Sequence, residues 1–229
     1  MELLLDAPPV NALGTPILEQ VRDTLRAAGD EPILLCGAGP AFSAGLNLAE
    51  VASLSADDMV VFLDLLEEVV GLLYHHPGPT VAYVHGHAIA GGCVLALCCD
   101  VRIGSLGRHR IGLNEVALGL QFPPRTEAIV TRQIPVGARH RVLLGAGLFA
   151  PEEALSLGLL DELGGRDRAD AVLDGLAKHP RDAYAATKGR LRPDTTPSAA
   201  VRQAFFDEVV PAWTSDGVKA RIRAILDRR

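Results

Sequence analysis

The segment IGLNEVALGL, residues 111–120, holds one charged side chain, Glu115, among apolar residues and glycine. A carboxylate in an apolar setting is costly unless paired, and it tends to neutralise by raising its pKa. A carboxyl poised in that way can move protons near neutral pH. From this segment alone a second reading stands beside catalysis: Glu115 simply reaches solvent from a loop or a strand edge.

Two other stretches have a chemistry-bearing layout. In ILLCGAGPAFSAGLNL (residues 33–48) and VAYVHGHAIAGGCVLAL (residues 81–97), a buried strand runs into small residues and then into a helix start. Small residues let a ligand approach the backbone closely, and the free N–H groups of a helix N-terminus favour negative charge. Two such junctions facing one point would form an oxyanion hole from two backbone donors. Alternatively, Ser43-Ala44-Gly45 and Gly91-Gly92 are tight turns or places where a helix packs closely on a sheet.

Other chemistries lack their residues. GAGPAFSAG is neither a dinucleotide fingerprint nor a P-loop, and no G-x-S-x-G nucleophile elbow occurs. His85 and His87 flank Gly86 without a second ligand set, so no metal site is expected. His75 and His76, before Pro77, read as a solvated helix end, and Arg108 to Arg110 as a solvated basic loop. Cys36, Cys93, Cys98 and Cys99 lie in apolar runs and read as small buried hydrophobes of a reducing compartment.

The positioning elements follow from periodicity. Leu3–Leu5, residues 33–36 and residues 80–86 are strands, and VRIGSL and HRIGL are further short ones. Helices are expected from Thr15, as N-cap, to about Ala28, and from about Ser55 or Asp57 to Tyr74, opened by S-x-D-D. Others follow Gly91-Gly92 and Pro123-Pro124. ALSLGLL is helical and LDEL strand-like. Residues 1–165 therefore form an α/β core. Residues 166–229 read as helices alone, and Val201, Phe205, Val209 and Trp213, then Val218, Ile222 and Ile225, form apolar stripes that must be covered by the core or by a neighbouring subunit.

The 229 residues suit one large domain; 48% are apolar and 22% charged, as in an ordinary globular chain. A net charge of −6 argues against a nucleic-acid partner. MELLLDAPPV has no basic region or long apolar run, and the tract Ala88–Cys99 falls short of the ~20 residues of a membrane span. A cytoplasmic protein without membrane association is expected.

Taken together, PPVNAL, FSAGLNL (42–48), HGHAIAGGCVLALCCD (85–100), IGLNEVALGL and LFAPEEALSLGLLDEL (148–163) resemble the crotonase superfamily, the enoyl-CoA hydratase/isomerase group, in order and in spacing. The resemblance covers nearly the whole chain. It implies a spiral of β-β-α turns with a C-terminal helical trimerisation region, a homotrimer or dimer of trimers, acyl-CoA thioester substrates and no cofactor beyond the coenzyme A of the substrate itself. It implies oxyanion donors at Ala44 and Gly91, substrate or CoA contacts along Ala44, Gly45, Leu46, Asn47 and Leu48, and a catalytic Glu115. Aspartate is usual where Asn47 stands. The family's hydratases carry a second glutamate where this chain has Val94. The single glutamate is similar to the branch of mitochondrial-type Δ3,Δ2-enoyl-CoA isomerases, in which one carboxylate carries a proton from C2 to C4. An enoyl-CoA hydratase or another acyl-CoA lyase or hydrolase of the family, including members with one acidic residue, and a non-catalytic binding protein of the same fold are the competing readings. Leu120, Gln121 and Phe122 are candidates to shape the acyl pocket, and Lys219 to meet the CoA phosphates.

Overall fold

A computed structural model describes residues 1–227 and, within them, every side chain used below. The strands are β1 (Glu2–Leu5), β2 (Ile33–Gly37), β3 (Ala41–Ser43), β4 (Thr80–Val84), β5 (His87–Ile89), β6 (Val101–Gly104), β7 (Ile111–Gly112) and β8 (Glu162–Leu163). They form two sheets, in the orders β1-β2-β4-β6-β8 and β3-β5-β7, with every pair parallel. The helices are α1 (Thr15–Ala27), α2 (Leu48–Ser53), α3 (Ala56–Tyr74), α4 (Gly91–Cys98), α5 (Glu115–Leu118), α6 (Pro124–Gln133), α7 (Pro151–Ser156), α8 (Arg166–Ala177), α9 (Arg181–Leu191), α10 (Ala199–Trp213) and α11 (Asp216–Leu226).

The chain repeats one motion three times. It lays a strand in the long sheet, crosses to the short sheet and enters a helix: β2-β3-α2, β4-β5-α4 and β6-β7-α5. This is the expected spiral of β-β-α turns. Strands β2 and β4 read as unbroken apolar runs because both faces of a parallel sheet are covered. The main core lies on one face, while α8 covers the other through Leu34, Val81, Ile103, Ala169 and Leu173.

Strands β3 and β5 escape a reading from sequence. Each is three residues long, and each looks like loop until it pairs with its neighbour one turn away. The start of α1 also differs from expectation. Gly14 is the N-cap and Thr15 already lies inside the helix. The carboxylate of Glu50 in α2 accepts from Thr15 N–H at 3.0 Å and from its hydroxyl, so a residue from a later turn does the work of a local cap. Ser55 does cap α3, accepting from Asp58 N–H at 3.1 Å.

Of the two histidines ending α3, His75 is exposed but His76 is buried, its Nε2 2.8 Å from the Glu31 carbonyl. The turn at Pro77-Gly78 folds it under the neighbouring loop. His109 is likewise buried between the exposed Arg108 and Arg110. All four cysteines are buried free thiols, and burial pushes Cys36 and Cys93 up to about 12, which makes them poor nucleophiles.

The C-terminal stripes are covered by their own chain. Val209, Trp213, Val218 and Ile222 are buried as α10 packs on α3 and α11 on α2 and α5, whereas Val201 stays exposed. The Ile225 side chain lies outside the described residues. The stripes therefore do not by themselves require a second subunit.

A buried ion cluster fixes where these helices begin. The Asp100 carboxylate accepts from Lys188 Nζ, Tyr184 OH and Thr80 N–H at 2.8, 2.8 and 2.9 Å, and it pairs with Arg192 at 2.8 Å. Arg192 also donates to the carbonyls of Tyr74, Cys98 and Cys99, so it satisfies the C-terminal ends of α3 and α4 together. Removing the shared anion strands two buried cations. Asp100→Asn is expected to lose about 3–5 kcal/mol, the scale for breaking a buried pair from one side. At roughly 2–4 °C per kcal/mol for a domain of this size, calorimetry should show Tm lower by about 10 °C. An unchanged Tm would mean that the cluster contributes nothing to stability.

Candidate active site

The three spiral turns deliver three site residues to one place. Ala44 follows the last residue of β3, Gly91 lies two residues after β5, and Glu115 three residues after β7. Parallel register aligns these strand ends, with Ser43 opposite Ala88 and Ile89 opposite Gly112. A cavity of about 220 Å³ lies at their ends, and Ala44, Gly91, Val94 and Glu115 all line it.

The first junction is held by a residue that sequence reasoning passed over. Asn11, in PPVNAL, is buried; its amide donates to the carbonyls of Ala38, Ala41 and Phe42 at 2.8, 2.8 and 3.2 Å and accepts from Ala7 N–H at 3.0 Å. Ser43 Oγ donates to the Asn11 carbonyl at 2.7 Å. At Gly45 the chain adopts φ +85°, and a Cβ there would stand 2.7 Å from the Ile89 carbonyl. Glycine is thus required for the first two junctions to touch. Leu46 and Leu48 line the cavity with Ala44, but Gly45 and Asn47 do not. The Asn47 side chain instead caps α2, accepting from Glu50 N–H at 3.3 Å. Lys219 is half-buried on α11 and also lies off the cavity wall.

The two backbone donors are not equivalent. Gly91 opens α4, and its N–H finds no acceptor among the described residues. Ala90 before it sits at φ 49°, a costly conformation for a non-glycine residue, and this sets the entry of α4. The Ala44 N–H, by contrast, donates to the Val10 carbonyl at 3.0 Å.

Glu115 begins the single-turn helix α5 and is buried, with Oε2 lacking a hydrogen-bond partner among the described residues. Desolvation raises its pKa to about 8, offset in part by a hydrogen bond from its own backbone N–H. Among the described residues that line the cavity, it is the one that titrates. Val94, also buried, lines the cavity with it.

The remaining wall is mostly apolar and comes from distant elements. Leu66 of α3, Leu148, and the segment Leu120, Gln121, Phe122 form part of it. Trp213, read from sequence as a stripe residue, is part of the wall, as are Asn114 and Thr126. Thr126 is fixed by Glu67, whose carboxylate accepts from the Arg125 and Thr126 N–H groups and the Thr126 hydroxyl at 2.8, 3.0 and 2.6 Å. Helix α11 is tied over α5 by Arg221, whose Nε donates to the Leu118 carbonyl at 3.0 Å. No periodicity marks these residues as neighbours, because they meet only after the C-terminal helices fold back.

The raised pKa has a consequence for stability. Between the ordinary value of 4.5 and about 8, the folded protein holds the Glu115 proton while the unfolded chain has released it. Stability from this group is therefore full at low pH and is lost as pH rises through that window. Glu115→Gln has no proton to lose. Urea unfolding at about pH 5 and about pH 9 should show the gap in favour of the variant widening by on the order of 4 kcal/mol. A gap independent of pH would mean that the carboxyl is not held protonated by burial.

The sequence matches the enoyl-CoA hydratase/isomerase family over residues 1–216. It is 29% identical to human mitochondrial enoyl-CoA delta isomerase 1 over 96% of this chain and 77% of that protein. It is 31% identical to a putative enoyl-CoA hydratase of Thermus thermophilus over 93% of this chain and 87% of the relative. The crystal structure of the human mitochondrial Δ3,Δ2-enoyl-CoA isomerase superposes with a TM-score of 0.85 at 26% identity, covering 99% of this chain and 92% of that one. With a match of this extent and the spiral of β-β-α turns, the chain belongs to the enoyl-CoA hydratase/isomerase family of the crotonase superfamily.

Proposed function

We propose that the protein is a Δ3,Δ2-enoyl-CoA isomerase of fatty acid metabolism in which Glu115 is the sole proton carrier. The observation that carries this reading is the pairing of Glu115 with Val94: one desolvated carboxylate in an apolar cavity, with valine where a hydratase holds its second glutamate. Hydration requires a water held and activated between two carboxylates. Isomerisation requires one base, dry enough to keep its proton.

In the proposed cycle the thioester carbonyl of a 3-enoyl-CoA points at Gly91 N–H. Ala44 contributes the second donor by sharing its N–H between the Val10 carbonyl and the thioester oxygen. The Glu115 carboxylate takes a proton from C2. The C2–H electron pair moves into the thioester, giving a dienolate whose oxygen charge the N–H donors stabilise. Glu115 then returns the same proton to C4, and the double bond settles between C2 and C3. No atom is gained or lost. Leu46 and Leu48, beside Ala44, would meet the near end of the substrate.

A base works only when ionised, so kcat/KM should rise with pH toward about 8 and level off above it. Assembly as a homotrimer or a pair of trimers belongs to the same proposal. With α10 and α11 closing the site on their own chain, a monomer by sedimentation would overturn the assembly and leave the catalytic reading intact.

The reaction is tested with 3-hexenoyl-CoA and crotonyl-CoA in parallel. Glu115→Gln should still bind acyl-CoA but lose isomerisation by ~10⁴-fold or more, since one group serves both proton transfers. Val94→Glu should introduce slow hydration of crotonyl-CoA, limited because the cavity is not shaped for water. Near wild-type isomerisation by Glu115→Gln would remove it from the mechanism. Wild-type hydration of crotonyl-CoA faster than isomerisation of 3-hexenoyl-CoA would place the chain with the hydratases instead.

A further inference from the structure

The cavity has an open side and a closed one. Ala44, Leu46, Ile89 and Ala90, around the backbone donors, are half-buried, and Leu148 is 38% exposed. Leu66, Pro123, Thr126 and Trp213 are buried. They belong to α3, the start of α6 and the end of α10, three helices that pack on one another. Between the two sides runs α4, which carries Gly91 at its start and Val94 a turn later and packs on both α3 and α6. An acyl chain whose carbonyl oxygen faces Gly91 N–H therefore extends toward the buried side.

Trp213 is the largest side chain on that side. Its Nε1, like Asn114 Oδ1, has no partner among the described residues, but both atoms are closed off, so the indole meets the cavity with its ring carbons. The Thr126 hydroxyl is committed to Glu67. Gln121 is exposed, but its amide donates to Glu208 at 3.2 Å and joins the connection between α5 and α6 to α10. A cavity of about 220 Å³ holds on the order of seven groups of ~30 Å³, the share of a water molecule and close to that of a methylene.

We infer that Trp213 is a specificity-determining residue, the stop against which the acyl tail ends, and that it limits the preferred thioester to about eight carbons, the carbonyl included. The helices behind it are close-packed, so a longer tail has to displace them. The inference rests on the acyl-CoA reading of the cavity and not on which reaction Glu115 catalyses.

The test is equilibrium binding of saturated acyl-CoA thioesters, which cannot isomerise. In a wild-type series from about four to fourteen carbons, each methylene should tighten binding about fourfold, the effect of burying one CH₂, until the series breaks near eight. Beyond the break, affinity should level off or fall. Trp213→Leu should move the break outward by roughly two carbons or more, because the tail fills the space that the shorter side chain leaves. Leu148→Ala, at the open side, should leave the break where it is. Trp213 is also the chain's only tryptophan, so its fluorescence reports on this spot alone. At saturation, 8-bromooctanoyl-CoA should quench it well beyond octanoyl-CoA, since bromine quenches at contact, whereas 4-bromobutanoyl-CoA should quench no more than butanoyl-CoA. That comparison decides the matter even if Trp213→Leu does not fold. Equal quenching by the two bromo thioesters overturns the inference, as does a wild-type series without a break. So does a break that stays in place in Trp213→Leu, or one that moves as far in Leu148→Ala. Failure of every thioester to bind would overturn the acyl-CoA reading as well, and is distinct from binding without a break.

Discussion

Everything at the site depends on the parallel pairing of three very short strands. β3, β5 and β7 contribute three, three and two residues, and alone they are too short to persist. Parallel strands need crossovers, so each enters the short sheet from the same direction and leaves it at the same end. Three segments separated by long stretches of sequence therefore stop side by side. One ends in Ala44, one in Gly91 and one in Glu115. A slip of register in this sheet would shift a backbone donor relative to the carboxylate by a residue's length. The contacts around the sheet oppose such a slip. Asn11 binds three carbonyls of the chain leading into Ala44, Gly45 brings the first junction against Ile89, and Ala90 N–H donates to the Gly112 carbonyl at 2.9 Å.

The proposed chemistry rests on what is absent around Glu115. No cation lines the cavity to hold the carboxylate ionised, and its Oε2 has no donor among the described residues. Desolvation is the first cause of its shift, and the opposing hydrogen bond comes from its own backbone. A salt bridge would have stabilised the fold and depressed the pKa, leaving a weak base. Burial does the reverse: it destabilises the charged form and brings the group close to neutrality, where it can accept and return a proton. Glu67 shows the contrast within the same molecule. It is half-buried with its pKa raised by desolvation, but it is surrounded by the N–H groups and hydroxyl at the start of α6 and acts as a cap.

How far the sequence could be read follows from these causes. Glu115 was legible because one charge in ten residues is conspicuous, and the two glycine-rich junctions because small residues before a helix have few other uses. The stripe on α10 was legible as a stripe, since four-residue spacing shows directly. Its partner was not: the pattern says that Val209 and Trp213 must be covered and does not say by what. Asn11 looked like any turn asparagine, and Thr15 like an N-cap, because their partners lie some thirty residues away in the later turn that carries Ala44 and Glu50. The commitment of Ala44 N–H to Val10 could not be foreseen either, since backbone pairing in a loop leaves no mark on side-chain pattern.

The C-terminal helices matter to the site because a carboxylate is desolvated only if something excludes water from it. That closure runs back to the ion cluster at Asp100. Lys188 and Arg192 anchor the end of α9 to the carbonyl ends of α3 and α4, which fixes the point from which α10 sets out. Helix α10 then crosses α3 and carries Trp213 into the wall, and α11 turns back across α2 and α5 with Arg221 on the Leu118 carbonyl. The charges that fix these helices are thus absent from the cavity wall, and the residue they contribute to it is the aromatic Trp213. Had the anchoring cations been placed at the cavity itself, they would have ionised the carboxylate they help to enclose. The separation between where the fold is charged and where it is dry is what leaves a lone glutamate able to act as a base.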